Sequence, residues 1–286
     1  ALVLKALVRH IDPVEDINLA DAALGDAQAS GRSLNDWRVF PLTPAIVNAN
    51  CSTLMSDAAW LEMVAPSTGK LAFIKKSGGA SIDPCSLTPG GGYTRLENLL
   101  YRVEVHGGTA VQPTADGPRF GIAGLQLKLS RRNASLMVGV TAVNGARIEV
   151  TPPSLDPRNW FAPGSYAEIV SVHDDLDAAL ALASERLFQI ASVTDDSVTL
   201  VEPVPGAVAA TGIVAGKNWF LRLWDAIPAG TNGALVGAAL AAFDSGGADS
   251  TVIDLGDGLT IQLTGGASAR FRRGDSCARI ARRARL

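Results

Sequence analysis

The residues best suited to chemistry in this chain surround His173, one of only three histidines. Asp174, Asp175 and Asp177 follow it, and an imidazole with carboxylates can bind a metal ion or transfer a proton. A solvated loop after a strand commonly carries the same charges, and no second histidine lies nearby in the sequence. We therefore expect a loop here and predict no metal and no cofactor.

Other catalytic patterns are weak or absent. The chain has neither a Gly-x-Ser-x-Gly elbow nor a glycine-rich phosphate-binding loop. A Ser-His-Asp triad stays open, because its members can lie far apart in sequence. Asp195-Asp196 is typical of a hairpin turn, and Asp254-Leu255-Gly256-Asp257-Gly258 lacks the remaining ligand spacing of a calcium loop. We predict no catalytic residue.

The three cysteines are Cys51, Cys85 and Cys277, and none belongs to a Cys-x-x-Cys pair. Their spacing does not fit a metal site. A Cys51–Cys85 disulfide could form in an oxidising compartment, but buried free thiols are the simpler interpretation.

Charge and hydropathy limit the partners of the protein. Hydrophobic residues make up 47% and charged residues 19%, as in folded globular proteins, and the net charge is −3. The C-terminus is basic, with Arg272 and Arg273 among seven arginines after residue 269, but it lacks interleaved aromatic residues. We expect an edge strand or a strip that faces an acidic partner subunit, and no nucleic acid. No apolar run approaches the roughly 20 residues of a membrane span, which predicts no membrane insertion.

The five tryptophans raise the possibility of a sugar-binding surface, because exposed aromatic rings stack on sugars. They are Trp37, Trp60, Trp160, Trp219 and Trp224. They are dispersed along the chain and mostly lie within apolar strands or beside turns, which favours packing in the core.

Alternating segments separated by turns predict a mainly β protein with a few short helices. We expect an N-terminal mixed segment over residues 1–117 and an antiparallel sandwich or barrel over 118–286. Strands are expected near residues 1–8, 37–42 and 99–106, then at 125–129, 147–150, 166–170, 187–190, 197–201, 220–224 and 259–263. Helices are expected at 15–24, after an N-cap at Ser56 or Asp57, and over 174–186; residues 234–243 fit either a strand or a helix.

The strand at residues 99–106 has polar and apolar side chains at alternate positions. Tyr101, Val103 and Val105 share one face, and Arg102, Glu104 and His106 share the other. We predict that this polar face, together with Arg272 and Arg273, is an interaction surface that positions or joins subunits.

This strand also carries a resemblance, which extends over nearly the whole chain. The stretch Leu96-Glu97-Asn98-Leu99-Leu100-Tyr101-Arg102-Val103-Glu104-Val105-His106 follows a glycine-rich turn. Further motifs come in the same order: residues 10–16, 23–25, 65–71, 129–135, 161–165, 221–225, 257–259 and 273–275. The chain resembles a bacterial and phage family of unknown function that is found with phage tails and phage-tail-like contractile injection systems. It departs from the family pattern at Leu129, Arg132, Ser165 and Ser276-Cys277.

The resemblance implies a non-enzymatic structural or adaptor component of a phage tail, fibre, baseplate or tail-like particle. Its partners would be other protein subunits, including copies of itself. It would be assembled in the bacterial cytoplasm and could be released with the particle. The alternative is a carbohydrate-binding or carbohydrate-cleaving module at a fibre tip, with a cell-surface glycan as its partner.

Overall fold

The computed structural model describes residues 2–24, 31–41, 50, 52–75, 92–112, 114, 116–154, 156–171, 186–205, 219–225 and 250–282. Within them the protein is mainly β, built from antiparallel sheets and a closed barrel, as the alternating segments predict. The strands are β1 (Leu2–Ile11), β2 (Arg32–Pro41), β3 (Lys70–Lys75), β4 (Leu99–Gly107), β5 (Ala110–Gln112), β6 (Arg119–Phe120), β7 (Gln126–Ser130), β8 (Met137–Asn144), β9 (Arg147–Thr151), β10 (Tyr166–Ser171), β11 (Leu187–Val193), β12 (Ser197–Leu200), β13 (Trp219–Trp224), β14 (Ser250–Gly256), β15 (Leu259–Thr264) and β16 (Ser276–Ala281).

Six strands close the barrel in the order β10-β11-β12-β9-β8-β13. Its interior is filled by apolar side chains, among them Ile148, Ile169 and Leu221, of which at most 1% is exposed. Hairpins connect neighbours such as β11 and β12, where Asp195-Asp196 forms the predicted turn. Closure leaves the barrel without a free sheet edge.

Two three-stranded sheets, β14-β15-β3 and β16-β4-β7, share a second core. Val103 and Leu127 contribute from one sheet, and Ile261 and Leu263 from the other, and all four are fully buried. β3 and β4 belong to the expected N-terminal segment, yet they pair with β15, β7 and β16 of the C-terminal one. The division at residue 117 stays a prediction, but its two parts share these sheets.

The β1–β2 ribbon, defined as the hairpin of residues 2–11 and 32–41, stands apart as a two-stranded sheet. One face packs on helix α1 (Ala58–Val64), where Val3 and Phe40 contact a small cluster around the buried Met63. The side chain of Asp57 caps this helix by accepting hydrogen bonds from the backbone N–H groups of Ala59 and Trp60, as expected.

The helix predicted over residues 15–24 is wrong. The structure has two separate 3-10 turns, Ile17–Leu19 and Ala22–Leu24. Asp16 and Asp21 each accept a hydrogen bond from the backbone N–H two residues later, which offers the backbone a local alternative to a helix. Of the helix predicted over residues 174–186 only Arg186 is described, and the segment at 234–243 lies outside the described residues.

Candidate functional site

Four side chains form a charged network between the barrel and the β16-β4-β7 sheet. The Nζ atom of Lys128 on β7 lies 2.6 Å from Oε1 of Glu168 on β10 and 3.0 Å from Oε1 of Glu104 on β4. Trp224 on β13 donates its indole N–H to Oε2 of Glu168 at 2.7 Å, and Lys128 lies over its ring at 4.4 Å. We call these four residues the Lys128 network. Only 3% of Lys128 is exposed, so its charge depends on these partners.

The network holds Glu168 in its ionised form. Burial alone would raise the pKa of Glu168, but the charges of Lys128, His106 and Arg222 outweigh it and lower the pKa from 4.5 to about 2. Glu104 and Glu168 contact the same ammonium group, so two carboxylates do lie close together. A glycosidase needs one carboxylic acid that is protonated near neutral pH, and the low pKa of Glu168 does not suit that role.

A cavity of about 290 Å³ opens beside this network. Cationic side chains predominate in its wall, against three carboxylates from Glu104, Asp116 and Glu168. The cations are Lys5, Lys128, Arg119, Arg186, Arg222, Arg272 and Arg273. We call this space the basic cavity. It brings together strands that are far apart in sequence, since Lys5 lies on β1, Arg119 on β6 and Arg222 on β13.

Some of these cations are held by fixed partners. Lys5 pairs with Asp116 at 2.7 Å, which links the ribbon to the cavity wall. Arg119 donates to the carbonyl oxygen of Met63 at 2.7 Å, and burial followed by the nearby charge of Arg272 lowers its pKa. Arg186 lies over the ring of Trp219, with 5.1 Å between the guanidinium carbon and the ring centroid.

A second cluster surrounds Asp257, in the turn between β14 and β15. Its Oδ2 atom accepts hydrogen bonds from the hydroxyl of Tyr101 at 2.7 Å and from Nε of Arg131 at 2.9 Å. Arg131 also lies 3.7 Å from Asp225. Burial and the neighbouring Asp257 raise the pKa of Tyr101, so its hydroxyl keeps its proton and serves as a hydrogen-bond donor. These four residues come from four separate stretches of the sequence.

The structure brings the five predicted surface residues close to one cavity but does not expose them equally. Glu104 and His106 are buried, and Arg102 is half-buried and donates to Glu104. Arg272 and Arg273 line the basic cavity, and Arg272 also donates to backbone carbonyl oxygens of Met63 and Ala65. The polar face of β4 therefore packs against the barrel within the chain. That these residues contact a partner subunit stays a prediction.

The sequence also raised the possibility of a metal site, a disulfide and a tryptophan surface. No group of three or more His, Cys, Asp or Glu side chains within the described residues could hold a metal ion, and His173 with its aspartates lies outside them. Cys277 is a free thiol, while Cys51 and Cys85 fall outside the described part. Trp219 and Trp224 are buried, whereas 64% of Trp37 is exposed. No helix in the described ranges is long and apolar enough to cross a bilayer.

Three residues at the centre of the site were not predicted from the sequence: Lys128, Glu168 and Arg222. Lys128 occupies a polar position in the alternating strand β7, a pattern typical of a solvent-exposed face, whereas Glu168 and Arg222 are the single charged residues of β10 and β13. Here those faces meet each other across the space between barrel and sheet. A signal did exist, because β7, β10 and β13 each carry a single charged residue, and the charges of Lys128 and Glu168 are opposite in sign.

The fold and the site define a class: a mainly β protein in which a closed barrel and paired three-stranded sheets enclose a basic cavity. The chain belongs to DUF6519, a family of unknown function, whose pattern matches residues 47–284. No curated protein and no solved structure matches the chain. Membership in a family of unknown function is confirmed, and the association with phage tails stays a prediction.

Proposed function

We propose that this protein is a non-enzymatic structural or adaptor component of a phage tail or a tail-like contractile injection particle. It would act through contacts between subunits, including copies of itself. The observation that carries the proposal is the outer face of the β1–β2 ribbon. On that face Leu2, Leu4 and Val8 are 73%, 63% and 71% exposed, and Trp37 and Val39 across the ribbon are 64% and 47% exposed.

These side chains form one continuous apolar strip. Leu4 pairs with Val39 and Ala6 with Trp37, so the exposed residues stand side by side across the two strands. Exposed apolar patches of this kind mark protein–protein contact sites. Among the described strands β1 pairs only with β2, so the ribbon also offers unpaired backbone edges to which another strand can add.

The first test is self-association of the purified full chain, measured by sedimentation velocity over a range of concentrations. We expect the wild type to form a defined oligomer and Val8→Lys to weaken it, because a charge would be buried in the contact. Val252→Lys is the matched control, since Val252 is an exposed valine (47%) on β14, away from the ribbon.

The second test asks whether the chain is present in particles purified from the bacterium that encodes it. Mass spectrometry of sheared and intact particles should detect the chain at a fixed ratio to the tail-tube protein. Absence from such particles, combined with a monomer that neither self-associates nor binds tail-tube or baseplate proteins, would overturn the proposal.

A carbohydrate-binding fibre-tip module remains the second candidate because Trp37 is exposed. That ring lies on the exposed face of the ribbon, across from Ala6 and next to the Leu4–Val39 pair, with no carboxylate on that face of the two strands. Glycan-array binding that is lost in Trp37→Ala and kept in Val39→Ala would favour this candidate over the structural one. No binding to any glycan would remove it.

A further inference from the structure

The wall of the basic cavity carries more positive charge than its carboxylates balance. Lys128 is balanced by Glu104 and Glu168, and Lys5 by Asp116. Among the described residues no carboxylate lies within ion-pair distance of the Arg119, Arg222 or Arg272 side chains. Arg119 is buried and the other two are half-buried. With no carboxylate in direct contact, these guanidinium groups keep N–H donors and positive charge that a bound anion could use.

Arg119 and Arg272 show this imbalance most directly. Arg119 is only 4% exposed, and both guanidinium groups donate to the same carbonyl oxygen, that of Met63, at 2.7 and 3.0 Å. Two like charges thus share one neutral acceptor, while the charges of Asp116 and Asp275 act on Arg119 from beyond ion-pair distance. Carbonyl groups satisfy N–H donors but do not neutralise the charge.

Arg222 adds an unused donor on the opposite, barrel side. Its Nε atom is buried without a hydrogen-bond partner among the described residues, and its Nη2 atom has only the sulfur of Met137, at 3.5 Å. The planar guanidinium presents its donors in a fork that matches two oxygens of a phosphate or carboxylate group. An unsatisfied buried N–H is uncommon in folded proteins and points to a missing acceptor.

We propose that the basic cavity binds a small multivalent oxyanion, held between Arg222 on the barrel side and Arg119 and Arg272 on the sheet side. Phosphate-bearing and polycarboxylate molecules supply the same chemistry, namely several anionic oxygens within a few ångströms. The volume of about 290 Å³ lies at the lower end of the roughly 300–1,000 Å³ of ligand sites, which suits a small molecule rather than a polymer. The anion would link the barrel to the paired sheets, since its ligands come from both.

The test measures binding of pyrophosphate, inorganic phosphate and citrate to the purified full chain. Isothermal titration calorimetry and thermal unfolding are run at neutral pH and matched ionic strength, with chloride as the reference anion. We expect at least one of the three to bind saturably and to raise the unfolding temperature above that in chloride, because a ligand that binds only the folded state stabilises it. Comparing pyrophosphate with citrate distinguishes a phosphate site from a carboxylate site.

Variants locate the site. Arg222→Gln should raise the Kd of the bound anion by about tenfold or more, as expected for the loss of a charge-assisted hydrogen bond. Arg158→Gln is the matched control, because Arg158 is exposed on the 3-10 turn at Pro157–Asn159 and does not line the cavity. Arg272→Gln is the second variant, on the other wall, and keeps the test decisive if Arg222→Gln does not fold.

Several results would overturn the proposal. One is that none of the three anions stabilises the wild type more than chloride does. Another is binding that Arg158→Gln weakens as much as Arg222→Gln, since that would indicate general screening of surface charge. Saturable binding that neither Arg222→Gln nor Arg272→Gln affects would place the anion elsewhere. Self-association of the chain is not measured in this experiment, so its outcome is independent of the structural role.

Discussion

The β1–β2 ribbon and strand β4 follow the same alternating rule and reach opposite results. Leu4 and Val8 on the ribbon turn apolar side chains to solvent, whereas Glu104 and His106 on β4 turn polar side chains to the interior. Alternation decides which residues share a face, but it does not decide which face another layer covers. The ribbon has one layer beneath it, and β4 lies between the second core and the barrel.

The two regions also differ in the polarity of the side chains that they bury and expose. At the Lys128 network each buried charge has partners on neighbouring strands, while the exposed face of the ribbon is apolar along most of its length. In this protein the buried ion pairs and the exposed apolar side chains therefore belong to different strands. Three measurements test this difference between the two regions, and we expect the largest effect at the buried charges.

Replacing Lys128 by Met would leave Glu104 and Glu168 buried without their shared counter-charge. We expect the free energy of unfolding to fall by about 3–5 kcal/mol, the usual cost of breaking a buried ion pair on one side. Urea unfolding followed by circular dichroism measures this change. Lys5→Met removes a lysine whose side chain is 27% exposed and should cost under about 1 kcal/mol. Equal losses of unfolding free energy in the two variants would contradict the prediction that the buried ion pairs stabilise the fold more than the Lys5 pair does.

Two leucines test the covered and uncovered faces directly. Leu127→Ala on β7 removes a fully buried side chain and should cost about 2–5 kcal/mol through lost burial and the cavity left behind. Leu4→Ala on the ribbon, where the leucine is 63% exposed, should stay within about 0.5 kcal/mol. Both are measured by urea unfolding at a concentration where the chain is monomeric. A large loss in Leu4→Ala under those conditions would mean that the ribbon face is covered within the chain.

We expect acid to lower the free energy of unfolding because it protonates Glu168. Its pKa is lowered on folding, so the folded state favours the ionised form, and this stabilisation is complete above pH 4.5. It is lost as the pH falls from about 4.5 toward about 2, with a total on the order of 3 kcal/mol. Unfolding free energies measured through this range should show a smaller decline for Glu168→Gln than for the wild type. An identical decline would assign the acid sensitivity to other carboxylates.

Much of the fold could be predicted from the sequence because its strands, caps and turns depend on local patterns of residues. The strand around Tyr101, the Asp57 helix cap and the Asp195-Asp196 hairpin all depend on side chains within a few residues of one another. The helix over residues 15–24 failed for a local reason too, since Asp16 and Asp21 favour turns more strongly than the pattern suggested.

Local sequence patterns could not predict the site. Lys128, Glu168 and Arg222 meet only because β7, β10 and β13 converge across a barrel and a sheet, and no short stretch of sequence encodes that meeting. A lysine between two leucines is typical of an exposed strand face, and its burial is possible here only because a glutamate on each of two other strands compensates its charge.

The β class, the alternation along each strand and the membership in the family therefore follow from the sequence alone. The burial of the polar face of β4 and the exposure of the apolar face of the ribbon depend instead on how the strands pack in three dimensions. The physical reason is that side-chain direction is fixed by the backbone of a single strand, whereas burial is fixed by what packs on top of it. In this chain the packing of barrel on sheet creates the basic cavity, and the absence of a second described layer on the ribbon leaves its leucines in water.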